Sequence, residues 1–163
     1  MTTADNNNVS YEQNNNKFNF RVAGIVMDAG RVLLHTTEQD DFWNLPGGRV
    51  KLNETTEAAI VREMMEELGV HVEAQRLAYV SEDFFEYDGL KYHEVGFYYL
   101  IKLPEAHKLY SETEFKGLED NGKLTFQWFS LDELERMEVY PVFLKEELTN
   151  LLDAKGIKHF IQK

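Results

Sequence analysis

A chain of 163 residues is long enough for one domain with a proper hydrophobic core, and 43% hydrophobic with 13% aromatic residues suits a globular protein. It contains no cysteine, which excludes disulfides, a thiolate zinc site and a cysteine nucleophile. The net charge of −12 argues against a nucleic-acid polymer as partner, because phosphate binding needs a basic surface, but admits a small anionic substrate whose charge is neutralised by metal ions. No apolar run reaches transmembrane length and no signal-like apolar segment opens the chain, so a cytoplasmic protein without a membrane partner is expected.

Residues 1–16 (MTTADNNNVSYEQNNN) are rich in asparagine and poor in apolar groups. They are expected to be a disordered tail, leaving 17–163 as a single domain. Phe18 to Met27 reads as a strand with a largely buried run, Val22, Ala23, Ile25 and Val26. Asp28-Ala29-Gly30 turns the chain back into a second strand over Arg31 to His35. A polar loop then leads through Phe42-Trp43-Asn44-Leu45 to Pro46-Gly47-Gly48, where proline fixes φ and the glycines admit geometries closed to other residues. A helix follows. Thr55 is its N-cap, Glu57 sits in the first turn where the macrodipole favours a carboxylate, and Gly69 is its stop. At about 100° per residue, Ile60, Met64, Leu68, Val61, Met65 and Ala58 are assigned to one apolar arc. Glu63, Glu66 and Glu67 are assigned together to the opposite side, where like charges repel one another unless a divalent cation ligates them.

Beyond the helix, Val72 to Tyr87 holds one long strand, entered by a loop around Glu73 to Arg76. Tyr87-Asp88-Gly89-Leu90 carries a hairpin signal, and Lys91 to Leu103 returns as a strongly β-prone strand. Pro104 to Lys123 is a long polar connection that includes Glu112, Glu114, Glu119 and Asp120, and loops of this length commonly serve function. Leu124 to Phe129 is a strand, and Ser130 begins a helix over Leu131 to Glu138. Pro141 fits the first turn of a C-terminal helix ending near Gly156, and Ile157 to Ile161 is either a last strand or apolar packing. The pattern is α+β: a mixed β-sheet flanked by helices.

The spacing from Gly48 to Val70 is distinctive. Gly48, Glu54, Arg62-Glu63, Glu66-Glu67 and Gly69, with Met64 and Val70 at aliphatic positions, resemble the Nudix box G-x5-E-x7-R-E-U-x-E-E-x-G-U, U being bulky aliphatic. At residue frequencies of roughly 7%, all fixed positions coincide by chance in on the order of one window in 10⁸. The segment Trp128-Phe129-Ser130-Leu131-Asp132-Glu133-Leu134 also looks like a usual flank of the family.

The resemblance to MutT-like Nudix hydrolases implies an α/β/α sandwich with the box as a loop–helix–loop. It implies Mg²⁺ as cofactor, with Mn²⁺ as a substitute, and Glu63 and Glu67 as its usual ligands. Glu66 would be a further ligand or assist the attacking water, and the Gly47 carbonyl would add another ligand. Arg62 and Glu54 would support these groups by pairing with each other or with the acids. One more acid is often recruited from a distant loop, and Glu119 is favoured here from its distance ahead of Trp128. On the substrate side, Arg21 on the first strand is a candidate for a phosphate or base, and Phe84 and Tyr87 near the hairpin tip for stacking on a base. Tyr87, seventeen residues beyond the box, also stands where dinucleoside-polyphosphate hydrolases of the family often carry tyrosine.

The implied reaction is hydrolysis of a nucleoside diphosphate linked to another moiety: a nucleoside triphosphate, a dinucleoside polyphosphate or a nucleotide sugar. Charged non-bridging oxygens repel water from phosphorus, and cations held by hard oxygen ligands offset that charge. Two rival readings are a nucleotide-sensing module without catalysis and an RNA 5′-end pyrophosphohydrolase. The intact carboxylates speak against the first, and the acidic balance against the second. A homodimer is compatible with the resemblance, though nothing in the sequence requires one.

Overall fold

The strand Asn16–Asp28 (β2) is the spine of the molecule, and four other strands register on it. The computed structural model describes residues 7–163. Around β2 stand Ser10–Gln13 (β1), Arg31–Thr36 (β3), Trp43–Asn44 (β4), Gly47–Arg49 (β5), Glu73–Tyr87 (β6), Leu90–Lys102 (β7), Glu114–Lys116 (β8), Thr125–Ser130 (β9), Val139–Tyr140 (β10) and Lys158–Gln162 (β11). The helices are Thr56–Leu68 (α1), Leu131–Leu134 (α2) and Leu144–Glu147 (α3). The sheet is mixed, in the order β10-β4-β3-β2-β7-β6-β11. β7 runs parallel to β2, β6 antiparallel to β7, and β11 parallel to β6.

Because strand side chains alternate, β2 feeds two cores. Val22 and Val26 pack with Ile60, Met64, Tyr99, Ile101 and Phe126 on the face that α1 covers. Ala23 and Ile25 pack on the other face with Tyr79, Tyr98, Phe143, Leu144, Leu148 and Leu151, beneath α3 and the turn after it. The result is a helix layer on each side of a sheet.

Several expectations are corrected. The tail expected over residues 1–16 is, from residue 7 onward, ordered structure; residues 1–6 lie outside the described part. β1 pairs with β2 through Ser10↔Asn19 to Gln13↔Asn16, and Asn14 and Asn15 turn the hairpin at φ 51° and 62°. Asparagine tolerates that left-handed conformation, so the asparagine run is turn chemistry rather than disorder. The segment also braces the glycine loop: Val9 N–H donates to Val50 O and Leu52 N–H to Asn7 O, both at 2.8 Å.

The helical wheel is corrected too. Ala59, Ile60, Glu63, Met64 and Glu67 form the buried face of α1, while Ala58 and Met65 are exposed. Glu67 lies seven residues beyond Ile60, two turns on and on the same line, so it faces the sheet and not solvent. The loop expected at Glu73 to Arg76 is the irregular start of β6, with register shifts at Ala74/Arg76 and Leu77/Tyr79. The long connection before β9 contains two 3₁₀ turns and β8. The helix expected to 138 ends at Leu134, and the C-terminal helix is α3 followed by a 3₁₀ turn over Leu148–Asn150. Pro141 lies before α3 rather than in it.

Candidate active site

α1 is fixed at both ends. The Thr55 side chain accepts from Ala58 N–H, and Gly69 closes the helix at φ 67° with its N–H on Met65 O. β5 is hydrogen-bonded to β2 with Ala23 opposite Gly47 and Val22 opposite Gly48. A Cβ on Gly47 would collide with the Val22 carbonyl and the Ala23 backbone. A Cβ on Gly48 would collide with the carboxylate of Glu63. Two bare backbone positions therefore let the helix acids sit directly on the glycine loop.

Arg62 organises those acids. Its Nε and one terminal nitrogen donate to the two oxygens of Glu54 at 2.7 and 2.9 Å, in a bidentate fork. The same outer nitrogen donates to Arg49 O at 3.0 Å, tying the helix to β5. Its other terminal nitrogen reaches Glu63 at 2.8 Å and Glu66 at 3.2 Å. Hydrogen bonding from Arg62 holds the Glu54 carboxyl below its usual range, and its acid partners hold the guanidinium charged.

Glu119 arrives from far along the chain. Leu118 N–H donates at 2.8 Å to the Glu67 carbonyl, one of the free acceptors at the end of α1. This contact docks the 117–122 turn on the helix. Carboxylate oxygens of Glu63, Glu66 and Glu119 consequently lie within 4.8 Å of one another. Burial raises the pKa of Glu63 and Glu119, with Arg62 opposing the shift at Glu63 and the neighbouring acids adding to it at Glu119. Glu67 is more deeply placed, 3% exposed, and its Oε2 has no hydrogen-bond partner among the described residues. Burial pushes it up to about 8, with Arg21 opposing. A hard-oxygen donor set, three converging carboxylates and an unpartnered buried one fit Mg²⁺ or Mn²⁺. Of the acids expected to gather, Glu63 and Glu66 meet with Glu119, while Glu67 stands behind them against the Gly47 backbone.

On the other side of the Leu45–Gly48 segment is a cleft of about 690 Å³. Arg21, Ala23, Leu45, Asp83, Glu94 and Tyr98 lie along it, with Phe42, Phe85, Tyr87 and Tyr140 toward its mouth. Arg21 donates to Leu45 O at 2.9 Å, and His35 Nε2 shares that carbonyl at 3.0 Å. Burial lowers His35 to about 3, so it is neutral and its Nε2–H is the donor. Leu45 O is thus held twice, which fixes the approach to the glycines.

Tyr87 is half exposed, with its hydroxyl 3.3 Å from Asp40 and its ring edge-on to Phe42 at 6.4 Å. Phe84 stacks on His93 at 4.5 Å, at the rim shared with a second hollow toward the β1 hairpin. Asp83, Phe42, Tyr98 and Tyr140 line this cleft although the sequence does not mark them as site residues. The alternation Ser81, Asp83, Phe85, Tyr87 along β6 is the signal that points to one shared face.

Known proteins resemble this chain in sequence and in fold. The NUDIX domain profile matches residues 17–148. A MutT-like protein of Streptomyces ambofaciens is 42% identical over 63 residues, 38% of this chain and 41% of that protein. An 8-oxo-dGTP diphosphatase of Proteus vulgaris is 46% identical over 44 residues, 26% of this chain and 39% of that protein. Each match therefore spans about two fifths of the curated relative. Among solved structures, an ADP-ribose pyrophosphatase from Streptococcus suis superposes with a TM-score of 0.60 at 18% identity, covering 88% of this chain and 98% of that one, a likeness of fold. Among the described residues no helix is long and apolar enough to cross a membrane. With the profile covering most of its length and the box complete, the chain belongs to the NUDIX domain family.

Proposed function

We propose that the protein is a divalent-cation-dependent pyrophosphohydrolase acting on a nucleoside diphosphate linked to a further group. The observation that carries this reading is the convergence of Glu63, Glu66 and Glu119 on one side of the glycine loop, with an aromatic-mouthed cleft on the other. A bound cation supplies charge neutralisation for the phosphates and a more acidic water. The chain's residues supply position. Arg62 locks Glu63 and orients Glu66, and the Leu118 contact holds Glu119 opposite them. Glu66, whose side chain is 38% exposed, is the acid best placed to take a proton from attacking water, since Glu63 is clamped and Glu67 is buried. The name of one relative, an 8-oxo-dGTP diphosphatase, supports a nucleotide substrate, and the nucleoside belongs in the cleft beside Arg21.

The test is turnover of nucleoside triphosphates, dinucleoside polyphosphates and nucleotide sugars with Mg²⁺ or Mn²⁺, products being resolved by mass to identify the bond cleaved. Activity that vanishes with a chelator is the expected result. A broad panel without turnover overturns the reading.

A further inference from the structure

The floor of the cleft is assembled from three adjacent strands. Asn19 of β2 and Asp83 of β6 both stand opposite Glu94 of β7, so the three share one row on one face. Arg21, Gly96 and Ser81 form the next row. Two carboxylates facing each other across neighbouring strands repel. Among the described residues neither acid takes part in an ion pair, and Arg21 spends its hydrogen bond on Leu45 O.

Asp83 is 7% exposed. One of its oxygens accepts from Ser81 Oγ at 2.6 Å, while Oδ1 has no hydrogen-bond partner among the described residues. Glu94 Oε2 accepts from Asn19 Nδ2 at 2.6 Å. A buried acceptor without a donor is rare and calls for a partner from outside the chain. The group of three or more acids gathered as a cation needs is Glu63, Glu66 and Glu119, and among the described residues Asp83 and Glu94 belong to no such group. A pair without a third acid, each already taking a neutral donor, suits an N–H or O–H donor, and the cleft's mouth says which kind. Phe42 and Tyr140, edge-on to each other at 5.3 Å, and Phe85 line the cleft, so aromatic surface is on offer to a flat ring.

We infer that Asp83 and Glu94 read the N–H edge of a nucleobase, and that the substrate is a nucleotide whose base carries an exocyclic amino group. This rests on the hydrolase reading of the same site and names its substrate class. An amino group places donors opposite the two carboxylates. A carbonyl at that position places lone pairs against them and leaves Asp83 Oδ1 unpaired, which a buried site penalises heavily. Burial raises Asp83 to about 6, with the Ser81 hydrogen bond opposing, so at neutral pH it is an acceptor.

The experiment compares matched pairs that differ at the amino position, GTP with ITP, ATP with ITP and CTP with UTP. It measures kcat/KM for the triphosphates, and calorimetric binding of GMP, IMP, AMP, CMP and UMP by the same protein. The preferred amino-bearing ligand exceeds its partner without the amino group by about tenfold or more, and Asp83→Asn or Glu94→Gln narrows the gap to under about threefold, chiefly through KM. Partners within about threefold in every pair overturn the inference. So does a gap that survives both substitutions. The wild-type comparison needs no variant, and thermal unfolding of the variants separates lost recognition from lost folding. Amino-selective binding without turnover would sink the hydrolase reading alone, while unselective turnover would sink only this one.

Discussion

Two acidic clusters lie on either side of the Leu45–Gly48 segment, and they are built in opposite ways. The first gathers Glu63, Glu66 and Glu119 around one space, with Arg62 as a hub and oxygens within 4.8 Å. The second sets only two acids, Asp83 and Glu94, opposite each other on neighbouring strands, each tied to a neutral neighbour, Ser81 or Asn19. Convergence suits a cation, which wants several oxygens at once. A facing pair with neutral partners suits a ligand that arrives with its own N–H groups. Carboxylates alone thus say little about chemistry until their mutual distances and their existing partners are known.

The largest effect expected from breaking this contrast is at the first cluster. Glu66→Gln lowers kcat by about 10²-fold or more, because a proton acceptor at the reacting water is lost, and steady-state kinetics check it. Retention of full activity would contradict the site. Arg62→Lys comes next. Lysine cannot reproduce the fork onto Glu54 together with the reach to Glu63 and Glu66. A loss of about 10–100-fold in activity and about 1–3 kcal/mol in denaturant stability is expected.

The pH dependence separates the clusters further. Each has a carboxyl raised by burial, Glu67 from 4.5 to about 8 and Asp83 from 3.8 to about 6. Such a group keeps its proton in the folded protein at pH values where the unfolded chain has lost it. Its stabilising contribution is complete below the ordinary pKa and disappears as pH rises through the raised one. Metal-free protein therefore loses stability as pH climbs through about 6 and then about 8, measured as denaturation midpoints across that range. Millimolar Mg²⁺ restores the part due to Glu67 and leaves the part due to Asp83; equal recovery of both would erase the distinction. The smallest effect is at the cleft mouth. Tyr87→Phe removes a long 3.3 Å contact to Asp40 from a half-exposed ring, so stability moves by less than about 0.5 kcal/mol.

What the sequence made legible follows the range of the interactions. The N-cap Thr55 and the stop Gly69 depend on neighbours a turn away, and the structure has both. The wheel failed at Glu67 because its side was assigned from charge, although its angular position lies with Ile60. Glu119 was reached by its distance from Trp128, but what docks it is the contact between Leu118 and Glu67, invisible in either segment alone. Asp83 was passed over because its meaning lies in facing Glu94 across a strand pair, and register is a property of two segments at once.

Gly48 carries a consequence for how sequences of this kind tolerate change. The space its hydrogen leaves is filled by the Glu63 carboxylate, so the smallest possible enlargement, a single methyl, strikes the acid while both hydrophobic layers stay intact. A lesion there would disarm the molecule without unfolding it. In natural variants, a side chain at residue 48 would mark a descendant that had kept the scaffold and given up the chemistry.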